Sequence, residues 1–121
     1  MDKRIAVVVD DEALVADILG EQLEMLDFQP LVFVDPRAAF DCMVNEKSAI
    51  ALLVTDYNMP FINGAELARE TKRLVPAIKT VCVSGYLKNE VISEIRHFDG
   101  FLEKPFSYEQ LRELVDKILP G

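Results

Sequence analysis

A parallel α/β sheet covered by helices on both faces is the fold class this sequence predicts, on three observations. Short apolar runs alternate with segments of helical periodicity five times along the 121 residues. Two of the runs, Arg4–Val9 and Ala49–Thr55, are almost continuously apolar, as strands buried on both faces are. Polar residues able to do chemistry stand just after several of the runs, at what would be one edge of the sheet. Right-handed crossovers then place the helices on the two faces.

The first strand, Arg4–Val9, is stopped by Asp10-Asp11-Glu12. From Glu12 to about Leu26 apolar residues recur at helical spacing, with Ala16, Leu19, Leu23 and Leu26 as the core stripe. Val15 and Ile18 widen that apolar surface beyond what packing on a sheet needs. Asp27 leads out, and Leu31–Val34 reads as a short strand. Asp35-Pro36 opens the next helix, with Asp as cap and Pro at the first helical position, where no backbone donor is lost. That helix runs to about Asn45, ahead of the strand Ala49–Thr55 and its terminal Asp56. Asn63-Gly64 reads as a turn, and Ala65–Leu74 as a helix that ends before Pro76. Lys79–Val83 is the fourth strand, halted by Ser84-Gly85. Asn89 to His97 is expected to be helical, with Val91, Ile92 and Ile95 inward. Phe101-Leu102 begins a brief fifth strand, cut by Lys104-Pro105. Ser107 and Gln110 form a capping box for the last helix, whose stripe is Leu111, Leu114, Val115 and Ile118.

The length suits one domain, residues 1–121, with a single core. Half the residues are hydrophobic and 28% are charged, the balance of an ordinary globular protein. No apolar stretch approaches about 18 residues, so no membrane span is expected. The start lacks the apolar segment of a signal peptide. Cys42 and Cys82 lie in apolar-periodic segments without CxxC spacing, and read as buried free thiols of a reducing, cytoplasmic compartment. A formal charge of −8 repels nucleic acid phosphates and anionic lipid, so neither is an expected partner.

Four polar features follow buried strands: Asp10-Asp11 after the first, Asp56 after the third, Ser84 after the fourth and Lys104 after the fifth. Singly, the acids read as caps, Ser84 as a turn residue and Lys104 as a solvated cation. Together, on one edge of one sheet, they converge on a site. Two unit charges about 4 Å apart repel by about 4 kcal/mol at an effective dielectric near 20, so three clustered carboxylates call for a cation. Oxygen ligands without His or Cys select a hard ion such as Mg²⁺. A metal beside a carboxylate, with a lysine and a hydroxyl opposite, suits a phosphoryl group, and Asp56 is a fit nucleophile for an aspartyl phosphate.

These residues resemble the receiver domains of two-component response regulators over essentially the whole chain. The motifs are Val7-Val8-Val9-Asp10-Asp11-Glu12, Leu53-Val54-Thr55-Asp56-Tyr57-Asn58-Met59-Pro60 with Asn63-Gly64, Val83-Ser84-Gly85, and Phe101-Leu102-Glu103-Lys104-Pro105-Phe106. The resemblance implies a flavodoxin-like doubly wound (βα)5 fold with a five-stranded parallel sheet of order 2-1-3-4-5. It implies that Asp56 accepts a phosphoryl group from a phosphohistidine on a histidine kinase or histidine phosphotransfer domain, and that an output domain or downstream protein responds. Asp10, Asp11, Asp56 and the backbone carbonyl of Asn58 then resemble the Mg²⁺ site, Ser84 and Lys104 the phosphate contacts, and Phe101 the aromatic switch. Lys104-Pro105 resembles the family's cis peptide.

The chain departs from the family pattern twice. Ser84 and Lys104 are about two positions closer than the family pattern, which predicts a shortened helix or loop between them. Asp99-Gly100 replaces the small pair usual before the fifth strand. Tyr86, two positions after Ser84, is a candidate shield for the acyl phosphate. Val15, Ile18, Pro105 and Phe106 are expected to form the patch that receives the helices of the histidine donor. His97, the one histidine, reads as structural. The rival functions are a Mg²⁺-dependent phosphohydrolase and a degenerate receiver kept for protein binding. The first would want an acid where Asn58 stands; the second would have lost an acid or the lysine.

Overall fold

The computed structural model of the chain describes residues 3–46, 49–85 and 97–120. Its elements run β1 (Arg4–Val9), α1 (Ala13–Met25), β2 (Phe28–Phe33), α2 (Pro36–Glu46), β3 (Ile50–Asp56), α3 (Gly64–Leu74), β4 (Lys79–Ser84), β5 (Gly100–Glu103) and α4 (Tyr108–Ile118). All strand pairs are parallel, and the five strands lie in the order β2-β1-β3-β4-β5. The expected sheet is the observed one. The helix expected at Asn89–His97 falls outside the described residues apart from His97, which is exposed in a turn.

Two apolar layers sandwich the sheet. On one face Ala39 and Met43 of α2 and Ala65, Leu67 and Ala68 of α3 pack over Val7, Val9 and Leu53. On the other, Ala16, Leu19 and Leu23 of α1 and Leu111 and Val115 of α4 pack over Val8, Leu52 and Val54. Alternate residues of β1 and β3 thus go to opposite cores, which is why both runs are apolar throughout. Leu26, Leu114 and Ile118, expected in the buried stripes, are only half-buried at the rims. Cys82 is buried, but Cys42 is half-buried on α2 rather than enclosed.

The second strand starts at Phe28, not at Leu31, and ends before Val34. Pro30 does not interrupt it, because β2 is an edge strand and one of its sides needs no ladder donors. Asp27 makes the connection from α1 in a left-handed conformation, φ 71°, which Asp tolerates better than most residues. Gly20 brings α1 close to that strand: a Cβ there would stand 2.7 Å from Val32 Cγ2.

Two caps lie where the sequence puts them. The Asp35 carboxylate accepts from the Arg37 backbone at 2.8 Å. Ser107 and Gln110 exchange side-chain and backbone hydrogen bonds as a full capping box. Asn63, expected in a turn, is instead the cap of α3, accepting from Glu66 N at 2.9 Å, and Gly64 is the first helical residue. The reason for a glycine there is contact. A Cβ on Gly64 would lie 2.4 Å from the Asp56 carbonyl oxygen, so only glycine lets α3 start against the end of β3. Gly64 N–H also donates to Tyr57 O at 2.8 Å, closing the loop that follows Asp56.

Asp99, in place of the expected small residue, ties the opposite edge of the sheet. Its carboxylate accepts from Thr80 N at 2.8 Å and from Lys72 Nζ at 3.0 Å. Partial burial pushes its pKa up, but the Thr80 donor and the Lys72 ammonium outweigh that and hold it below the usual carboxylate value.

Candidate functional site

The carboxyl ends of β1, β3, β4 and β5 converge because the strands are parallel and adjacent. Asp10 is fully buried at the end of β1. Its Oδ1 accepts from Glu12 N at 2.9 Å and its Oδ2 from Lys104 Nζ at 2.8 Å. Asp11, the next residue, is exposed. Asp56 ends β3 with 8% of its surface exposed, and its Oδ1 accepts from Tyr57 N at 2.9 Å. One carboxylate oxygen from each of Asp10, Asp11 and Asp56 lies within 4.8 Å of the others. Ser84 ends β4, 2% exposed, one position beyond the Val83 that pairs with Asp56. Its carbonyl accepts from Lys104 N at 2.8 Å, which brings the β5 exit alongside. The Lys104-Pro105 peptide is cis, as the resemblance implies.

The site is electrostatically uneven. Burial, together with the negative charges of Asp10 and Asp11, pushes the Asp56 carboxyl up to about 6, although Lys104 and the Tyr57 N–H pull the other way. Burial works against the Lys104 charge, but its hydrogen bond to Asp10 and the field of Asp56 hold the ammonium above its ordinary pKa. Lys104 is therefore neither solvated nor simply poised opposite the acids. It is bonded to Asp10 and stands 3.7 Å from Asp56 Oδ1. Among the described residues one ammonium stands against three carboxylates, which leaves a negative excess, and the donors are all hard oxygens. The cluster fits a small divalent ion such as Mg²⁺.

Phe101, beside Cys82 on β5, is half-buried and rests against the core formed with α2 and α3. Asn58 is exposed in the loop after β3. Tyr86 lies outside the described residues. Along the same edge, Val15, Ile18, Leu19, Gln22, Lys104, Pro105 and Phe106 line a groove of about 410 Å³. Val15 is half-buried and Ile18 is 45% exposed, so the widened face of α1 is not consumed by packing on α4. Gln22 shares the helical stripe of Val15 and Ile18 and lines the groove with them, although as a polar residue it was not counted in the expected patch. Its buried Oε1 has no hydrogen-bond partner among the described residues, and a polar residue at the i+4 position from Ile18 was the available signal.

The family model for the response regulator receiver domain matches residues 6–116, and the chain belongs to that family. Sporulation initiation phosphotransferase F of Bacillus subtilis is 25% identical over 122 residues, 99% of this chain and 96% of that protein. The phosphate regulon transcriptional regulatory protein PhoB of Pseudomonas aeruginosa is 30% identical over 116 residues, 93% of this chain but 48% of that protein. A response regulator of Arabidopsis thaliana is matched over 18% of its length, so the chain spans only part of several relatives. The solved structure of chemotaxis protein CheY4 from Vibrio cholerae has the same fold, with a TM-score of 0.86 at 20% identity over 97% of this chain and 99% of that one. Receiver domains act as phosphoacceptor switches, bind Mg²⁺ at an acidic pocket, and work with histidine kinases or phosphotransfer proteins and with output domains. No helix among the described residues is long and apolar enough to cross a membrane.

Proposed function

We propose that this chain accepts a phosphoryl group on Asp56 from a phosphohistidine and switches conformation in response, as a single cytoplasmic receiver unit. The carrying observation is a nearly buried Asp56 with the oxygens of Asp10 and Asp11 within 4.8 Å and the Lys104 ammonium at 3.7 Å. An Asp56 carboxylate oxygen attacks phosphorus. A P–O bond forms, the P–N bond breaks, and its electron pair returns to the imidazole nitrogen of the donor. Lys104 faces the negative charge that collects on the transferring oxygens, and the Ser84 hydroxyl is the adjacent donor to the product. Mg²⁺, held by Asp10, Asp11, Asp56 and the Asn58 carbonyl, would neutralise phosphoryl charge when bound. Tyr86 would shield the product from water.

Mg²⁺ is expected to raise the melting temperature of the protein, because it binds the folded state preferentially. Asp11→Asn should shrink that shift; an unchanged shift would place the ion elsewhere. Phosphorylation is expected to draw Ser84 toward the phosphate and bias Phe101 inward, since the phosphate acts through contacts that differ between two states. Ser84→Ala should then accept phosphate yet show little change in its amide NMR spectrum, and a full spectral response would remove Ser84 from the switch.

Docking of the donor is assigned to the groove between α1 and the Lys104–Phe106 segment, which opens beside the phosphoacceptor. Ile18→Ala should slow transfer from a phosphohistidine protein by roughly tenfold or more, the equivalent of about 1.4 kcal/mol, while labelling by acetyl phosphate barely changes. Equal loss with both donors would mark a folding defect, and equal retention would put the docking surface elsewhere.

A further inference from the structure

The outer face of α1 carries information about the partner that the groove alone does not. Leu14 is 73% exposed, Met25 67% and Ile18 45%. Successive helical residues turn by about 100°, so these three fall within about 40° of one another, on a strip about 16 Å long. On one side this strip runs into the groove through Val15 and Gln22. On the other side it is bordered by Asp17, Glu21 and Glu24, all exposed.

The charge of the chain is concentrated here. No Lys or Arg occurs between Arg4 and Arg37, whereas that stretch holds eight acids, equal to the whole formal charge of −8. The remaining acids are matched one for one by the 13 Lys and Arg. Asp10, Asp27 and Asp35 each meet a base, Lys104, Lys3 and Arg37 respectively. Asp17, Glu21 and Glu24 meet none among the described residues. Glu24 also stands in the last turn of α1, where a carboxylate opposes the helix dipole and no basic residue compensates. Helix stability does not account for these acids.

Resting on the phosphoacceptor and docking readings above, we propose that the donor helix seated on α1 carries Lys or Arg along the side of its apolar stripe that meets Asp17, Glu21 and Glu24. The occupant is the donor because Lys104 lines both the groove and the site, so a body seated there stands within reach of Asp56. Its chemistry follows from complementarity: the apolar strip is matched by an apolar helix face, and the one-sided acidic border by a one-sided basic one. The field of α1 steers that donor to the site and turns away donors with an acidic border.

The test uses the full chain and one histidine phosphotransfer domain that labels it, prepared in two forms. One form has Lys beside its apolar helix stripe, the other has Glu at the same positions. The Lys form is expected to transfer roughly tenfold faster or more at about 50 mM salt, with the advantage shrinking at about 500 mM. A Glu21→Lys/Glu24→Lys chain should invert the preference, a result no folding defect imitates, and should melt no lower than the parent. Normal acetyl phosphate labelling without inversion overturns the basic-donor proposal and leaves the phosphoacceptor reading standing. Loss of Ile18-dependent transfer alone, with charge changes silent, also overturns it. Absence of acetyl phosphate labelling in the parent chain removes the phosphoacceptor reading, and this proposal with it.

Discussion

Asp56→Asn is expected to take up no phosphoryl group from acetyl phosphate in the presence of Mg²⁺, while the parent gains mass corresponding to about one phosphate. The effect is all or nothing, because an amide at this position offers neither the nucleophilic carboxylate nor a ligand charge. The adduct on the parent should be released by base and by hydroxylamine, as an acyl phosphate is. Intact-mass measurement of the two proteins decides it: a variant that labels as well as the parent would falsify the assignment of Asp56.

The same variant is expected to be the more stable protein when no metal is present. Burial and the charges of Asp10 and Asp11 raise the Asp56 carboxyl from 3.8 to about 6 in the fold. An acid with a raised folded pKa binds its proton more tightly in the native state than in the unfolded one. Its ionisation therefore opposes folding fully at neutral pH, and the opposition is relieved as pH falls from about 7 toward 4. At about 1.36 kcal/mol per pKa unit, a shift of this size corresponds to roughly 3 kcal/mol at pH 7. Asp56 is only 8% exposed, so solvent screening reduces this little. Urea unfolding in a chelating buffer should show Asp56→Asn ahead of the parent at pH 7 and the gap closing by about pH 4. A gap that is absent at pH 7, or that widens on acidification, contradicts the assigned strain.

How much of this was legible in the sequence depends on what each residue touches. Strands β1 and β3 were legible because both their faces are core, so Val7, Val8, Leu53 and Val54 leave an unbroken apolar run. The convergence of Asp10, Asp56, Ser84 and Lys104 was legible for a topological reason: parallel strands put their ends on one edge whatever the side chains do. The boundaries of β2 were not, since an edge strand tolerates Pro30 and has half the burial to advertise it. Gly64 announced a turn, whereas its reason is a carbonyl 2.4 Å from where a Cβ would be, a contact with no sequence signature. Lys104 was legible as a member of the site but not as the partner of Asp10, because the reach of a long side chain depends on the path of the loop that carries it. Asp99 registered only as a departure; its hydrogen bonds to Thr80 and Lys72 are set by the register of β4 and β5 and by the placement of α3.

The close approach of α1 to β2 at Gly20 has an evolutionary consequence. The residues that fix this helix to the sheet, Ala16, Leu19, Gly20 and Leu23, are buried, and none of them belongs to the outer strip of Leu14, Ile18 and Met25 or to its acidic border. On the docking proposed above, folding and partner choice rest on different residues of one helix. A gene duplicate is free to drift at Leu14, Asp17, Ile18, Glu21 and Met25 and acquire a different donor, with the acceptor chemistry and the fold inherited unchanged. Insulation between parallel signalling lines then needs only a handful of surface substitutions, on a face that the core does not constrain.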